Sequence, residues 1–462
     1  MTTTTQKHTS TLLAAAALAG LSLTAFAGPK PSMEPKKAIE TPMLSILDGR
    51  VVFDVQERIR WEVRDNNFDF NSKVNTVNDD NWFEQRLRIG MLVKVAPWLR
   101  IYAQAQDSRE WLSDRADIPG VLGAEGDDPF DLRQAYVEFG DALSSPLTLK
   151  IGRQVLSYGD ERLVGPLDWN NLSRTFDAVK LSYKQKTWSL DAFASTVVTP
   201  HREGYNQSDF LNGNETEREQ VFSGLYFSTT ALGWQTTDAY VYHLHQNNVT
   251  PGETNFFTFG LRAKSTPGKF GPFDYDAELA AQVGKVKGKD LSSFASHVGG
   301  GYTFDSSWKP RLGLEYNFAS GDSDPKDGDA ETFQNLFPTN HKFFGITDLF
   351  SWQNMHELAL SLKASPCKSV TAQAEFRAHW LANTDDSWYR ANGVATVRPL
   401  TPAARSASNY VGSEADVVVT WNVRKELQLQ AGYSHFFAGD YLDDTGPSSD
   451  ANFGYLQATL TF

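Results

Sequence analysis

From Val51 to Phe462 the chain is a succession of segments of about ten residues in which apolar and polar side chains alternate. Leu87, Ile89, Met91, Val93 and Val95 share one parity, while Glu84, Arg86, Arg88 and Lys94 take the other. The pattern recurs with Tyr275, Ala277, Leu279 and Ala281 against Asp276, Glu278 and Gln282. It recurs again with Val370, Ala372, Ala374, Phe376, Ala378 and Trp380 against Thr371, Gln373, Glu375, Arg377 and His379. A period of two means strands with one face in an apolar medium and the other in water. A soluble sandwich alternates as well, so the connections must decide.

After the first strand, at about 53–65, long and short links alternate strictly. Ala96-Pro97-Trp98, Lys184-Gln185-Lys186, Ser365-Pro366-Cys367-Lys368 and Arg424-Lys425-Glu426 are compact turns. The stretches 66–81, 108–129, 156–174, 200–217, 319–353 and 382–412 are long. The count comes to about eighteen strands, an even number that puts both barrel ends on the short-turn, periplasmic side. The expected fold is all-β: a transmembrane antiparallel β-barrel of outer-membrane type in a Gram-negative bacterium.

Composition excludes the helical alternative. Mean hydropathy is −0.41, and no apolar run of spanning length follows the N-terminus. A barrel hides its lipid face in alternation, which any hydropathy window averages away. The single cysteine, Cys367, can form no internal disulfide.

Residues 1–27 read as a secretory signal, with Lys7 in a polar start, an apolar stretch from Leu12 to Phe26, and Ala25-Phe26-Ala27 as the cleavage site. Residues 28–49, with Pro29-Lys30-Pro31 and Lys36-Lys37, read as a periplasmic N-terminal tail, and 50–462 as one barrel. The terminal strand carries Leu456, Ala458 and Leu460 on one face and ends on Phe462, as outer-membrane barrels do.

The water-facing parity is rich in arginine. Arg58, Arg60, Arg64, Arg86, Arg88, Lys94, Arg100, Arg262, Lys264, Arg311 and Arg377 lie on it, interspersed with Glu62, Glu84, Asp276, Glu278, Glu315 and Glu375. Guanidinium forks bind carboxylates bidentately and stay charged in a narrow pore, and the same residues could equally brace the wall against neighbouring acids. The net charge of −13 gathers in the long loops, so an anion-selective lumen is expected despite the acidic total. Trp98, Trp188, Trp234 and Trp308 sit in or beside short turns, where indoles would anchor at the membrane interface.

Two stretches carry a family resemblance. The run Gly321-Asp322-Ser323-Asp324-Pro325-Lys326-Asp327-Gly328-Asp329, continued by Thr332-Phe333-Gln334-Asn335-Leu336-Phe337-Pro338-Thr339-Asn340-His341-Lys342-Phe343-Phe344-Gly345, closely resembles a block of the bacterial alginate export family. So does Asp131-Leu132-Arg133-Gln134-Ala135-Tyr136-Val137, with Ile151-Gly152-Arg153-Gln154 and the polar loop through Asp168-Trp169-Asn170-Asn171. The resemblance covers about 50–462. It implies an eighteen-stranded passive channel exporting an anionic, alginate-like polyuronate through an electropositive constriction, with Arg133 and Arg153 at the positions matching its arginine motifs. Arg60, Arg86, Arg88 and Arg100 complete the expected pore-lining set. Strict parity would turn Arg133 and Arg153 towards lipid, so each needs a strand end or a bulge, expected at Gly152. One departure concerns the long periplasmic turn that plugs the family's exporter: here the corresponding Arg424-Lys425-Glu426 is too short to reach the lumen.

The alternatives are a specific uptake porin for carboxylate-bearing oligosaccharides or small anions, and an adhesive or structural barrel acting through its long loops. The expected partners are the polysaccharide, outer-membrane lipid and, for an exporter, a periplasmic secretion scaffold; the barrel is expected to be a monomer that binds no nucleic acid. Asp322, Asp324, Asp327 and Asp329 have a spacing suggestive of a calcium loop, although Glu331 falls at the tenth position and Phe333 at the twelfth. No catalytic motif or further cofactor is indicated. His243 and His245 share one strand parity, His201, His341 and His435 are scattered, and no CxxC, HExxH or phosphate loop occurs.

Overall fold

The computed structural model describes residues 44–73, 79–113, 127–140, 145–201, 204–208, 220–247, 252–394 and 396–462. The expected signal sequence and most of the expected tail lie outside them. Within the described residues, eighteen long strands run from Val51–Asp65 to Ala451–Thr461, each antiparallel to the next. The last pairs back on the first, with Gln56 opposite Thr461 and Asp65 opposite Asn452, so the sheet closes and leaves no free edge. None of the described helices is long and apolar enough to cross a membrane.

Alternation sorts the two faces as expected. On the first strand Ile59 is 50% exposed outward while Arg58, Arg60, Glu62 and Arg64 are buried inside. Leu261, Leu279, Val298, Leu314, Leu360 and Val417 continue the apolar outer band. At the short-turn rim Trp98, Trp234 and Trp308 are exposed, and Trp188 packs against Tyr183 and Phe227.

Two local features depart from the expected rhythm. The link between Phe273–Val286 and Lys289–Thr303 is only Lys287-Gly288, although it lies on the long-loop side. Both residues have positive φ, 49° and 83°, the backbone of a two-residue turn whose twist matches its strands. This low hairpin leaves room for the loop 320–354, whose Asp329-Ala330 pairs parallel with Asp290-Leu291. The expected tail is also partly strand, since Leu44–Ile46 pairs with Val51, Val52 and Phe53.

The apolar core lies inside the barrel, under the long loops. Phe70, Leu163, Phe176, Phe222, Phe333, Phe337, Trp352, Trp388 and Phe436 are nearly or fully buried there. The loop 155–175 is tied into this layer by parallel pairing of Val164 with Phe337. Gly165 donates to Phe337 O and Phe337 donates back to Leu163 O, and Thr339 donates to Glu161 O. Arg174 secures the same junction by donating to Gly165 O and Pro338 O; its burial brings the guanidinium down to about 10. Two loops from opposite sides of the barrel thus form one inner layer, and that layer fixes the site.

Candidate functional site

The first three strands supply a basic wall. Arg58 faces Arg86 across the first pair, and Arg88 lies two residues further along the second strand. A fourth guanidinium joins them through a bulge. Gln104 pairs with Gln134 but Ala105 pairs with Leu132, which leaves Arg133 as the extra residue of its strand. A bulge turns a side chain that strict alternation would send outward, and Arg133 accordingly donates to Gln104 Oε1 at 2.9 Å and to Ser173 Oγ at 3.2 Å inside.

The inner loop brings a carboxylate onto this wall. Asp168 Oδ1 is 2.8 Å from Arg88 Nη1 and 3.7 Å from Arg133 Nη2, and its Oδ2 is 3.3 Å from Arg86 Nη2. Among the described residues it is the single acid within ion-pair distance of these three arginines, so three guanidinium charges share one counter-charge. Arg58 adds a fourth nearby, 3.6 Å from Glu84. Burial alone would raise the Asp168 carboxyl; Arg86, Arg88 and Arg133 more than reverse that and hold it well below the usual carboxylate range.

The loop backbone is held separately. Asp168 O accepts from Arg58 and Arg86, Trp169 O from Arg58 and Arg60, and Asn170 O from Arg86. Asn171 reaches through the arginine row and donates to Gln85 O and Arg109 O. Trp169 lies over the Arg60 guanidinium at 3.8 Å.

Three further lumen cations are braced. Arg262 pairs with Asp160, Asp238 and Asp276, Arg377 with Glu357, Glu375 and Asp416, and Arg311 with Asp274. Beside this half, Asp160, Arg162, Lys264, Asp276, Arg311 and Lys342 line a cavity of about 620 Å³.

The expected pore-lining residues therefore divide. Arg86, Arg88 and Arg133 converge on one point. Arg60 belongs to the same row but is neutralised by Glu62 and Glu84. Arg100 also faces inward, yet it pairs with Glu138 at 2.5 Å and stands six residues before Gln106, the partner of Arg88, which is roughly 20 Å along the strand. Arg153 does not join them. The expected bulge at Gly152 is absent, because Gly152 and Arg153 pair in regular register with Tyr136 and Ala135. Arg153 keeps the parity of Ile151, which is exposed outward, and its fork closes on Asp177 at 2.9 and 3.1 Å. Arg58 and Asp168 were within reach of the sequence, the first on the water-facing parity and the second in the polar loop, but nothing local says that a loop residue folds back onto the wall.

The expected calcium ligands do not converge either. Asp322, Asp324 and Asp327 each accept the backbone N–H two residues on, from Asp324, Lys326 and Asp329. Their carboxylates thus shape turns, and no group of three acids, histidines or cysteines among the described residues could hold a metal ion.

The fold is shared with outer-membrane porins of Pseudomonas aeruginosa. OpdK, solved with vanillate, is 11% identical and superposes with a TM-score of 0.61, covering 89% of this chain and 98% of the porin. OccK2 (OpdF), solved with glucuronate, is 11% identical at a TM-score of 0.59 over the same shares. OccK11 (OpdR) is 12% identical at 0.55, over 89% and 96%. A search of the curated proteins finds no match. The alginate export family profile matches residues 50–455, more than four-fifths of the chain. With its closed barrel and arginine-lined interior, this protein is an outer-membrane channel belonging to the alginate export family.

Proposed function

We propose that the channel passively exports an anionic polysaccharide, an alginate-like polyuronate, by way of the Arg58, Arg86, Arg88 and Arg133 cluster. The observation that carries this reading is the excess of positive charge at one point of the lumen, where Arg86, Arg88 and Arg133 share the one Asp168 carboxylate. Elsewhere in the lumen Arg262, Arg311 and Arg377 have acids of their own. Desolvated guanidiniums left short of counter-charge attract carboxylates, and a sugar acid offers them at regular intervals along its chain.

The competing reading is uptake of small carboxylates. It is supported by the glucuronate and vanillate named for two porins of like fold. Both readings require the same cluster, and they differ in the length of the ligand.

Planar-bilayer recordings test the proposal. Oligouronates should block the current, and the half-blocking concentration should fall as chain length rises from one to about six sugars, because linked carboxylates bind with avidity. Neutral oligosaccharides of equal length should block far less. Equal block by charged and neutral chains would overturn the reading; block by monomeric acids with no gain on lengthening would favour uptake. With polyuronate enclosed in proteoliposomes, appearance of polymer outside only when the barrel is present would complete the case for passage.

A further inference from the structure

The contacts of Asp168 resemble those of a bound carboxylate ligand, except that this carboxylate belongs to the chain. Its side chain is 47% exposed, whereas those of Arg86, Arg88 and Arg133 are 2, 7 and 8% exposed. The guanidiniums are fixed in the wall, and the group they hold stands at the lumen surface. The loop does not depend on that group, since the carbonyls of Asp168, Trp169 and Asn170 take bonds from Arg58, Arg60 and Arg86. Arg174 and the Asn171 amide anchor it further. Among the described residues the side chain's remaining hydrogen bond is the 3.2 Å one to its Oδ1 from Ser173 Oγ. A turn about the Asp168 side-chain bonds alone would vacate the arginines and leave the backbone where it is.

We infer that Asp168 is a tethered competitor: in the empty channel it occupies the anion site of Arg86, Arg88 and Arg133, and it is exchanged for a carboxylate of the passing ligand. This rests on the proposed passage of polyuronates for the identity of that ligand. The device has a physical use. A desolvated triple-arginine site with no counter-charge would be costly to keep and would trap a polyanion, whereas exchange of one carboxylate for another lowers the net affinity and lets the ligand move on. Asp160, in the same loop, provides the contrast. It bonds Arg262 and Lys264, each at 2.6 Å, but those cations also face Asp238 and Asp276, so its removal frees little positive charge.

The full-length channel in planar bilayers tests the inference, with Asp168→Asn and Asp160→Asn compared with the parent. Loss of the competitor should strengthen block by a trimeric uronate roughly tenfold and raise chloride-over-potassium selectivity about twofold, while Asp160→Asn should move both less. A charge change made after folding removes any doubt about assembly. In an Asp168→Cys, Cys367→Ser channel, a neutral methanethiosulfonate should leave block strong and a sulfonate-bearing one should weaken it again. Unchanged block and selectivity in Asp168→Asn, or no difference between the two reagents, would overturn the competitor role. If uronates block parent and Asp168→Asn equally well, the polyuronate reading stands and the competitor falls. If they block neither, yet Asp168→Asn gains chloride selectivity, the competitor stands for small anions and the polyuronate reading falls.

Discussion

The indole of Trp169 lies flat on the imidazole of His341, with ring centroids 3.7 Å apart and planes 9° apart. The two residues come from the two loops whose Val164 and Phe337 pair inside the barrel, so this stack joins the Asp168 loop to the loop that follows the thirteenth wall strand, Arg311–Ala319. His341 is itself fixed, with Nδ1 3.0 Å from Asp348 Oδ2, and Arg60 lies on the Trp169 ring. Position therefore passes from the wall through Arg60 and Trp169 to His341 and the second loop.

Removing that indole should loosen the loop without opening the wall. An aromatic stack contributes about 0.5–1.5 kcal/mol and a desolvated cation–π contact about 2 kcal/mol. Trp169→Ala should keep the heat-modifiable gel migration of a closed barrel while its open-channel current becomes noisier and proteolysis within 155–175 speeds up. Current noise identical to the parent's would show that the backbone bonds from Arg58 and Arg86 suffice.

The arginines should separate by face. Replacing Arg88 and Arg133 with glutamine removes two of the three guanidiniums around Asp168, and chloride-over-potassium selectivity should fall several-fold, with uronate block weakened by at least about tenfold. Arg153→Gln should leave both unchanged, because its fork is committed to Asp177 on the outer parity. It should instead lower stability by about 1–3 kcal/mol, as loss of a charge-assisted hydrogen-bond pair does. Reversal potentials and thermal gel-shift midpoints measure the two effects independently.

That separation also marks what the sequence could reveal. The barrel was legible because its signal is periodic. Parity assigned Arg58, Arg86 and Arg88 to the lumen, and link lengths assigned the strand count, both being local properties of an antiparallel sheet. Strict parity sends both Arg133 and Arg153 towards lipid, and their true positions depend on register. A one-residue slip opposite Ala105 turns Arg133 inward, and its absence opposite Ala135 leaves Arg153 outside. Register is set by pairing partners far away in sequence, so neither motif could reveal it. Asp168 was hidden for a related reason: its role comes from a loop folding back on strands some 80 residues earlier, anchored by Phe337 from a third part of the chain. The aspartate run at 322–329 is ambiguous in sequence, since its spacing suits a cation but equally suits the series of turns that its carboxylates form.

Acid should leave the site intact over the ordinary range. Burial would raise the Asp168 carboxyl, but Arg86, Arg88 and Arg133 lower it further than burial raises it, so it titrates well below an unfolded aspartate. A carboxylate depressed on folding contributes stability that is complete above its unfolded pKa of about 3.9 and is lost only as pH falls through the lower folded value. Asp168 thus stays ionised from about pH 8 down to about pH 5. The difference in chloride selectivity between the parent and Asp168→Asn should hold constant over that range. A difference that shrinks by about pH 5 would mean that the arginines hold the carboxylate less firmly than their distances imply.

The loop 320–354 should be insensitive to calcium and sensitive to Asp386. The buried Asp386 carboxylate takes the backbone N–H of Asp322 at 3.0 Å, Thr332 Oγ1 at 2.5 Å and the Tyr389 hydroxyl at 2.8 Å. It gathers two outer loops onto one acceptor, which the aspartates of the turn do not do. Asp386→Ala leaves these donors without their acceptor, at about 1–3 kcal/mol for each that stays buried and unpaired. Proteolysis within 320–354 should accelerate by about tenfold or more in that variant, following the population of the opened loop. In the parent, chelation of calcium should leave the cleavage rate where it was, and in Asp324→Ala, Asp327→Ala the change should be modest and equal with and without the metal. If chelation instead exposes 320–354 in the parent and not in the double variant, the aspartates bind calcium after all, in an arrangement other than the turns they form here.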